Sequence, residues 1–451
     1  MNAPIEKNWT EGNIIRNLIM LSWPVIISQS LNMIGPTIDL IWVGKLGETS
    51  IAGVGVSGMA IMFTMSAMMG LSQGTRAMVA RFVGAGDMAG ANNVAMQSFN
   101  ISACYSILMV TVGILFTEDI LMILGLHRDV IEEAAGYMRI MFIGGGLRAF
   151  RMITESIMQA SGDAMTPMKI GFFFRAVHVV ICPFLIFGWW ISPRMGVSGA
   201  AMANVVAQGI GLFIGIKILF SVGTRISLSM KNFRIDLPII WRIVKIGIPA
   251  SVMGMQRGLS QLILMVLMAP FGTTAVAAHT VLHRIEMIMA MISMGLGIGA
   301  GTLAGQNLGA KKPDRAEKSG LYAIGITEAF MITSSALLLI WPESAVKIFG
   351  TDPELIETSS VFLRIAVAGF IFMGLGPMFM QFYSGAGDTM FPMKVSLFNT
   401  WIMLLPVAYL LSKMTDLGAV GVRWAMSGAM IWPGIAYIIY FRMGKWKKKE
   451  V

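Results

Sequence analysis

Charge is what this chain has least of. Only 13% of its 451 residues are Asp, Glu, Lys or Arg, while 56% are hydrophobic and the mean hydropathy is +0.72. A water-soluble domain carries about 25% charged residues, so an ordinary water-facing surface is excluded. Cysteine is almost missing as well. Cys104 and Cys182 both sit inside apolar segments, which excludes a disulfide framework and a cysteine-based metal cluster. Amphipathic periodicity is lacking too. Runs such as QLILMVLMAPFG (261–272) have no polar face on a 3.6-residue period, which argues against a soluble helical protein with a large core. The polar opening stretch MNAPIEKNWTEGN has no short apolar core followed by a cleavage site, so the first long segment is expected to be a retained helix.

Long apolar runs are present in abundance. Leu18–Val43, Ile51–Val79, Leu237–Pro270 and Ala275–Ala304 each reach the roughly 20 residues that cross a bilayer as a helix. Twelve spans are expected, near 15–43, 51–80, 92–116, 134–160, 168–191, 197–220, 239–270, 275–304, 319–341, 358–384, 393–412 and 420–441. The fold class is therefore all-α and integral to a membrane. The net charge of +10 divides by side. One set of connections, with both termini, holds Lys7, Arg16, Arg81, Lys169, Arg225, Lys231, Arg234, Lys311, Lys312, Arg315, Lys318, Lys394 and the tail RMGKWKKK (442–449). The other set mixes a few bases with Glu118, Asp119, Asp129, Glu343, Asp352 and Glu354. The basic side is expected to be cytoplasmic, and with it both termini. The excess charge reads as topology, and no nucleic-acid partner is expected.

The chain is written twice. ASGDAMTPMK (160–169) returns as GAGDTMFPMK (385–394), a shift of 225 residues. At that shift Pro24 falls on Pro249, Gly70 on Gly295, Gly74 on Gly299, Gly84-Ala85 on Gly309-Ala310, Gly125 on Gly350 and Arg139 on Arg364. The register holds without a gap from about residue 20 to 169 and then drifts. Six helices per repeat return the chain to its starting side, so the halves are expected to be parallel repeats about an axis along the membrane normal. Such halves commonly enclose a site near the midplane. The repeated turn reads as a helix joint: Gly162 suits the left-handed end of one helix, and Pro167 the start of the next. The expected organisation is a tail (1–14), an N-lobe (15–220), a linker (221–238), a C-lobe (239–441) and a basic tail (442–451).

Shared positions are scaffold chemistry, whereas ionisable residues inside the spans are almost all unshared. Asp39 faces Leu264, Arg148 faces Met373, Arg151 faces Gly376, Glu155 faces Met380, Arg175 faces Thr400, His178 faces Met403 and Arg257 faces Asn32. His279, His283, Arg284 and Glu286 likewise have apolar or small counterparts. A charge at the bilayer centre costs about 2.5–3.5 kcal/mol, so it persists where it is paired, wet or used. Arg151 and Glu155 at i,i+4 suit mutual neutralisation, which leaves Arg148 over. His279, His283 and Glu286 put three ligand types on one helical face. With no H-E-x-x-H pattern and Arg284 among them, hydrogen-bonded packing is favoured and no metal is expected. Arg257 has no acid in its own span. Asp39 has no nearby base in its helix and reads as either a satisfied hydrogen-bonding group or a protonatable site, the latter favoured. GVGVSG (53–58) matches a dinucleotide fingerprint but lies inside an apolar span, where that reading fails. The 41 methionines suit adaptable apolar contacts and carry little weight.

Twelve spans in two parallel repeats, WVGKLG after an acid-bearing first helix, AVAAHTVLHRIE (275–286), AGQNLGA (304–310) and the twinned G-D-x-x-x-P turn together resemble the multidrug and toxic compound extrusion (MATE) family, and within it the prokaryotic DNA-damage-inducible-like branch. The resemblance covers nearly the whole chain. It implies a V-shaped, two-lobed secondary antiporter, not an enzyme, that exports amphipathic small molecules against protons or sodium without a cofactor. In that branch the N-lobe ion site joins an acid on the first helix, Asn and Asp four apart before a Pro on the fifth, and Thr on the sixth. Here these positions read Asp39, then His178 and Cys182 before Pro183, then Asn204. Loss of the second carboxylate weakens a sodium site, and an imidazole favours proton traffic. The expected ion-coupling residues are Asp39, His178 and Asn204. The expected cavity residues are Arg148, Glu155, Arg175, Gln256, Arg257, Gln261, Arg284 and Glu286, and the expected hinges are Pro24 and Pro36. The protein is expected to work as a monomer in the cytoplasmic (inner) membrane, with the bilayer and a small-molecule cargo as partners. A lipid-linked glycan flippase of the same superfamily, or an exporter of anionic or zwitterionic metabolites, stands as the alternative.

Overall fold

A computed structural model describes residues 8–124, 128–189, 193–221, 226, 228–229 and 233–450. Lys7, Gly125, Arg225 and Lys231, with parts of the expected tails and linker, lie outside the described residues. Among those described, all regular structure is helical. The first repeat comprises α1 (Ile14–Val43), α2 (Glu48–Gly84), α3 (Met88–Leu115), the short α4 (Thr117–Ile123), α5 (Arg128–Ser161), α6 (Met165–Phe187) and α7 (Val197–Leu219). The second comprises α8 (Leu237–Met268), α9 (Thr273–Gly309), α10 (Pro313–Ile340), the short α11 (Pro342–Lys347), α12 (Pro353–Met373) continuing as α13 (Leu375–Ala386), α14 (Met390–Phe398), α15 (Leu405–Lys413) and α16 (Gly418–Met443). A π-helical turn, Asn399–Leu404, joins α14 to α15. It stands where the repeat register places 174–179, the segment that carries Arg175 and His178.

Among the described residues, eleven helical stretches are long and apolar enough to cross a membrane. The twelfth expected span is α5, at 34 residues long enough, but Arg139, Arg148, Arg151 and Glu155 give it a charge load the others lack. The exterior is apolar in the way a lipid-facing surface must be: Ile107, Phe213 and Val266 are 69%, 70% and 70% exposed. Helix ends differ from the expected spans for one physical reason. An apolar window marks the hydrocarbon slab, while backbone hydrogen bonding carries the helix beyond it into polar sequence. Thus α9 runs on to Gly309 and α10 begins at Pro313. In the other direction, α6 stops at Phe187, short of the expected 191, because Gly188 turns left-handed (φ 73°).

The chain forms two compact units. One holds Ile27–Ser251 with the residues up to Trp9, and the other holds Thr10–Ile26 with Val252 onward. The boundaries fall inside α1 and α8, at 26/27 and 251/252, and the second lies one repeat length beyond the first. The first part of each repeat's opening helix therefore belongs with the other repeat. The shared glycines show why. A Cβ on Gly70 would strike Ser251 and the Gly247 carbonyl, and one on Gly74 the Ile243 carbonyl. In the other unit, a Cβ on Gly295 would strike Ile26, and one on Gly299 the Ser22 hydroxyl. Both pairs thus admit the backbone of the exchanged half-helix at the same register, which is how small residues serve helix packing in lipid.

The twinned turn keeps its backbone and changes its side-chain partners. Gly162 and Gly387 are both left-handed, at φ 97° and 90°. Asp163 accepts from the Thr166 backbone N–H at 3.0 Å, satisfying one orphan donor at the start of α6. Its twin Asp388 instead accepts from the Tyr440 hydroxyl at 2.5 Å and lies 3.6 Å from Lys449 Nζ.

Candidate functional site

Four helices of the first unit bring their unshared polar residues together. Asp39 comes from α1. Arg175, His178 and Cys182 come from α6, spaced i, i+3 and i+7 so that they share one face. Asn204 and Gln208 lie one turn apart on α7, and α5 supplies Arg148, Arg151 and Glu155. Asp39 is 3% exposed, and His178 and Cys182 are fully buried. His178 Nε2 lies 3.0 Å from Asp39 Oδ1, and the Cys182 thiol donates to the same oxygen at 3.6 Å.

The other edge of the imidazole fixes its tautomer. Arg175 Nη1 lies 3.2 Å from His178 Nδ1. A guanidinium has donors only, so Nδ1 accepts and the ring, neutral in this arrangement, carries its proton on Nε2 beside the carboxylate. That Nε2–Oδ1 contact is off the line of a hydrogen bond. Arg175 lies flat against α1 because residue 35 is glycine: a Cβ there would collide with the guanidinium. One nitrogen, one sulfur and one oxygen ligand atom within 4.8 Å of one another have the spacing of a transition-metal site. Binding through Nε2 would, however, move the ring proton to Nδ1, against the Arg175 N–H. The arrangement sets one buried carboxylate against an imidazole edge and a thiol.

The remaining charges of this unit do not cancel. Arg151 pairs with Glu155 on α5, as the i,i+4 spacing implied. The Phe174 ring takes the Arg151 guanidinium at 4.6 Å and that of Arg175 at 5.1 Å from its centroid. Arg148 meets only an amide. With the Gln208 amide turned to accept, Arg148 Nη2 and Nε donate to it at 3.2 and 3.3 Å. In that orientation the Asn204 amide turns as well, so that its nitrogen donates to the same Gln208 oxygen. Among the described residues no carboxylate lies within ion-pairing distance of Arg148. Gln208 was not among the sequence candidates. Its signal was its position one turn after Asn204 in an otherwise apolar helix.

The second unit holds a separate buried cluster. Arg423 of α16, 1% exposed, donates to Glu286 Oε1 at 2.5 Å and from Nη1 to His279 Nδ1 at 3.3 Å. His283 Nδ1 lies 3.9 Å from Glu286 Oε2. The His279/His283/Glu286 face is thus organised around a guanidinium, in line with hydrogen-bonded packing. Sequence reasoning missed Arg423, which lies where the repeat register has drifted and Ala201 is its counterpart. A Glu286 inside an apolar span with no Arg or Lys on its own helical face was the available signal. Gln256 is buried and bonds the Ser396 hydroxyl. Gln261 is half-buried, and Arg257 and Arg284 are exposed. Arg257 Nη2 reaches only Met380 Sδ, at 3.6 Å. Pro24 and Pro36 are both accommodated within the continuous helix α1, and Pro24 lies two residues before the boundary between the units.

Comparison with known proteins agrees with this architecture. The MatE family model matches residues 24–184 and 249–410, once in each repeat. The probable multidrug resistance protein YoeA of Bacillus subtilis is 23% identical over 454 residues, covering 99% of this chain and 97% of that protein. The multidrug export protein MepA of Staphylococcus aureus is 24% identical, covering 92% and 90%. Among solved structures, a MOP superfamily transporter from Pyrococcus furiosus, described as having a binding pocket of reversed polarity, superposes with a TM-score of 0.90 at 24% identity over all of both chains.

Proposed function

Because this chain belongs to the MatE family and is thus a secondary transporter and not an enzyme, we propose that it exports amphipathic small molecules in exchange for protons, with Asp39 as the coupling carboxyl. The observation that carries the reading is the Asp39–His178 contact of 3.0 Å, buried and backed by Arg175. Relatives bearing the names of multidrug resistance and multidrug export proteins support the cargo class.

Chemistry favours the proton over sodium. A hard cation is held by several oxygen ligands. Asp39 is met instead by a nitrogen that carries a proton and by a thiol, with Arg175 close behind. A proton needs only the carboxylate and the imidazole. Protonation neutralises Asp39 and removes its attraction for the imidazole edge of α6. Helix α1 is then free to bend at Pro24 or Pro36, where a missing N–H already weakens the ladder. The driving force suffices: one charge crossing about 100 mV supplies about 2.3 kcal/mol, equivalent to roughly a 50-fold cargo gradient at about 1.4 kcal/mol per decade.

The test is proton-driven efflux of a fluorescent cationic dye from vesicles carrying wild type or Asp39→Asn. The variant is expected to lose uphill efflux. Undiminished uphill efflux in the variant would remove Asp39 from the mechanism.

A further inference from the structure

Among the described residues of this cluster, charge is left over after its ion pairs are made. Arg148, Arg151 and Arg175 face Asp39 and Glu155, and His178 is neutral while Arg175 donates to it. The surplus falls on Arg148, whose guanidinium has only the neutral Gln208 amide. An uncompensated guanidinium inside a transmembrane bundle persists where it is wet or used. Its neighbours are set for use. Arg151 and Arg175 are each more than nine-tenths buried and are steadied by the Phe174 ring. Arg148 and Arg151, at i and i+3 on α5, point the same way. A planar guanidinium with adjacent unused donors is the side chain that takes carboxylates, sulfonates and phosphates in bidentate fashion.

We propose that Arg148, flanked by Arg151 and Arg175, is an oxyanion site, and that it fills together with the coupling proton and not in competition with it. The sign follows from the charges that surround it. Asp39 on α1 and Glu155 on α5 repel an anion, while Arg148 and Arg151 on α5 and Arg175 on α6 attract it. Tyr105 on α3, Tyr137, Cys182 and His178 are neutral, and α7 contributes only the amides of Asn204 and Gln208. A proton on Asp39 removes a repulsion, and one on His178 Nδ1 adds an attraction. Each step strengthens anion binding, and by linkage the anion strengthens proton binding equally. Exported cargo exchanges against the proton, so the oxyanion is the proton's companion and not the cargo. This rests on Asp39 being the protonated group.

The experiment is titration calorimetry on the purified full chain in detergent at pH 6 and pH 8. The probes are 1-naphthalenesulfonate and sulfate, whose charges are fixed over that range, with tetraphenylphosphonium as the opposite-charge control. Wild type is expected to bind naphthalenesulfonate roughly tenfold tighter at pH 6, the size of one unit charge acting across a partly screened interior. Asp39→Asn is expected to bind at pH 8 about as tightly as wild type at pH 6. Arg148→Gln is expected to weaken binding at least tenfold without weakening tetraphenylphosphonium binding, and Arg148→Lys to recover part of the loss. Competition by sulfate identifies a free inorganic anion as the occupant, and its failure identifies an organic acid. Equal naphthalenesulfonate affinity in wild type and Arg148→Gln, or tighter binding at pH 8, overturns the proposal. If Arg148→Gln does not fold, the Asp39→Asn and Arg148→Lys titrations decide. Binding is read without transport, so failure here and failure of proton-coupled export are separate results.

Discussion

Arg175 donates to His178 Nδ1 across 3.2 Å, and that one bond decides what the neighbouring carboxylate meets. It leaves the imidazole proton on Nε2, beside Asp39, and it keeps the ring from serving as a metal ligand there. The side chain that sets the protonation pattern of the Asp39–His178 pair is thus itself a cation.

Replacing Arg175 therefore separates charge from geometry. Arg175→Ala is expected to leave the protein folded and inserted but to shift the pH dependence of efflux, because His178 can then take a proton on Nδ1. Arg175→Lys is expected to rescue poorly, since an ammonium lacks the planar fork. A pH profile identical to wild type in both variants would assign Arg175 to packing alone.

Gly35→Ala tests the same bond from the opposite side. The added methyl occupies the space of the Arg175 guanidinium, so this small change on α1 is expected to reproduce the Arg175→Ala profile. Gly258→Ala, with nothing within 4 Å of its Cβ position, serves as the control and is expected to behave as wild type. Matching profiles for the two glycine variants would contradict the geometry.

Cys182→Asp places a second carboxylate beside Asp39 at a separation the thiol already makes, 3.6 Å. This variant is expected to gain efflux driven by a sodium step. No sodium response, with the protein correctly inserted, would mean that ligand count is not what selects the ion.

In the second unit, Glu286 and Arg423 are a buried pair at 2.5 Å. Glu286→Gln leaves a buried guanidinium without its counter-charge and is expected to lower stability by about 3–5 kcal/mol. The double change Glu286→Leu with Arg423→Met is expected to recover most of that loss. Thermal unfolding in detergent reads both.

Much of this was legible before any coordinates. The span count follows from the bilayer's thickness, and the 225-residue repeat follows from glycines that must stay small where an exchanged half-helix passes. The meeting of Asp39 with His178 came from matching positions to a family pattern, since residues 139 apart in sequence share no local signal. Arg423 stayed hidden for the converse reason: it serves a carboxylate on a distant helix, and the repeat register no longer holds there. The exchange of Thr10–Ile26 between repeats was also illegible, because hydropathy marks where a helix crosses the membrane and not which neighbour it packs on.

The most direct measurement is efflux from inverted vesicles driven by an imposed pH step or by an imposed sodium step of equal size, in wild type and in Asp39→Asn. Proton coupling through Asp39 predicts uphill efflux under the pH step alone, abolished in the variant. Uphill efflux under the sodium step alone, or a pH-driven response that survives the substitution, would contradict it.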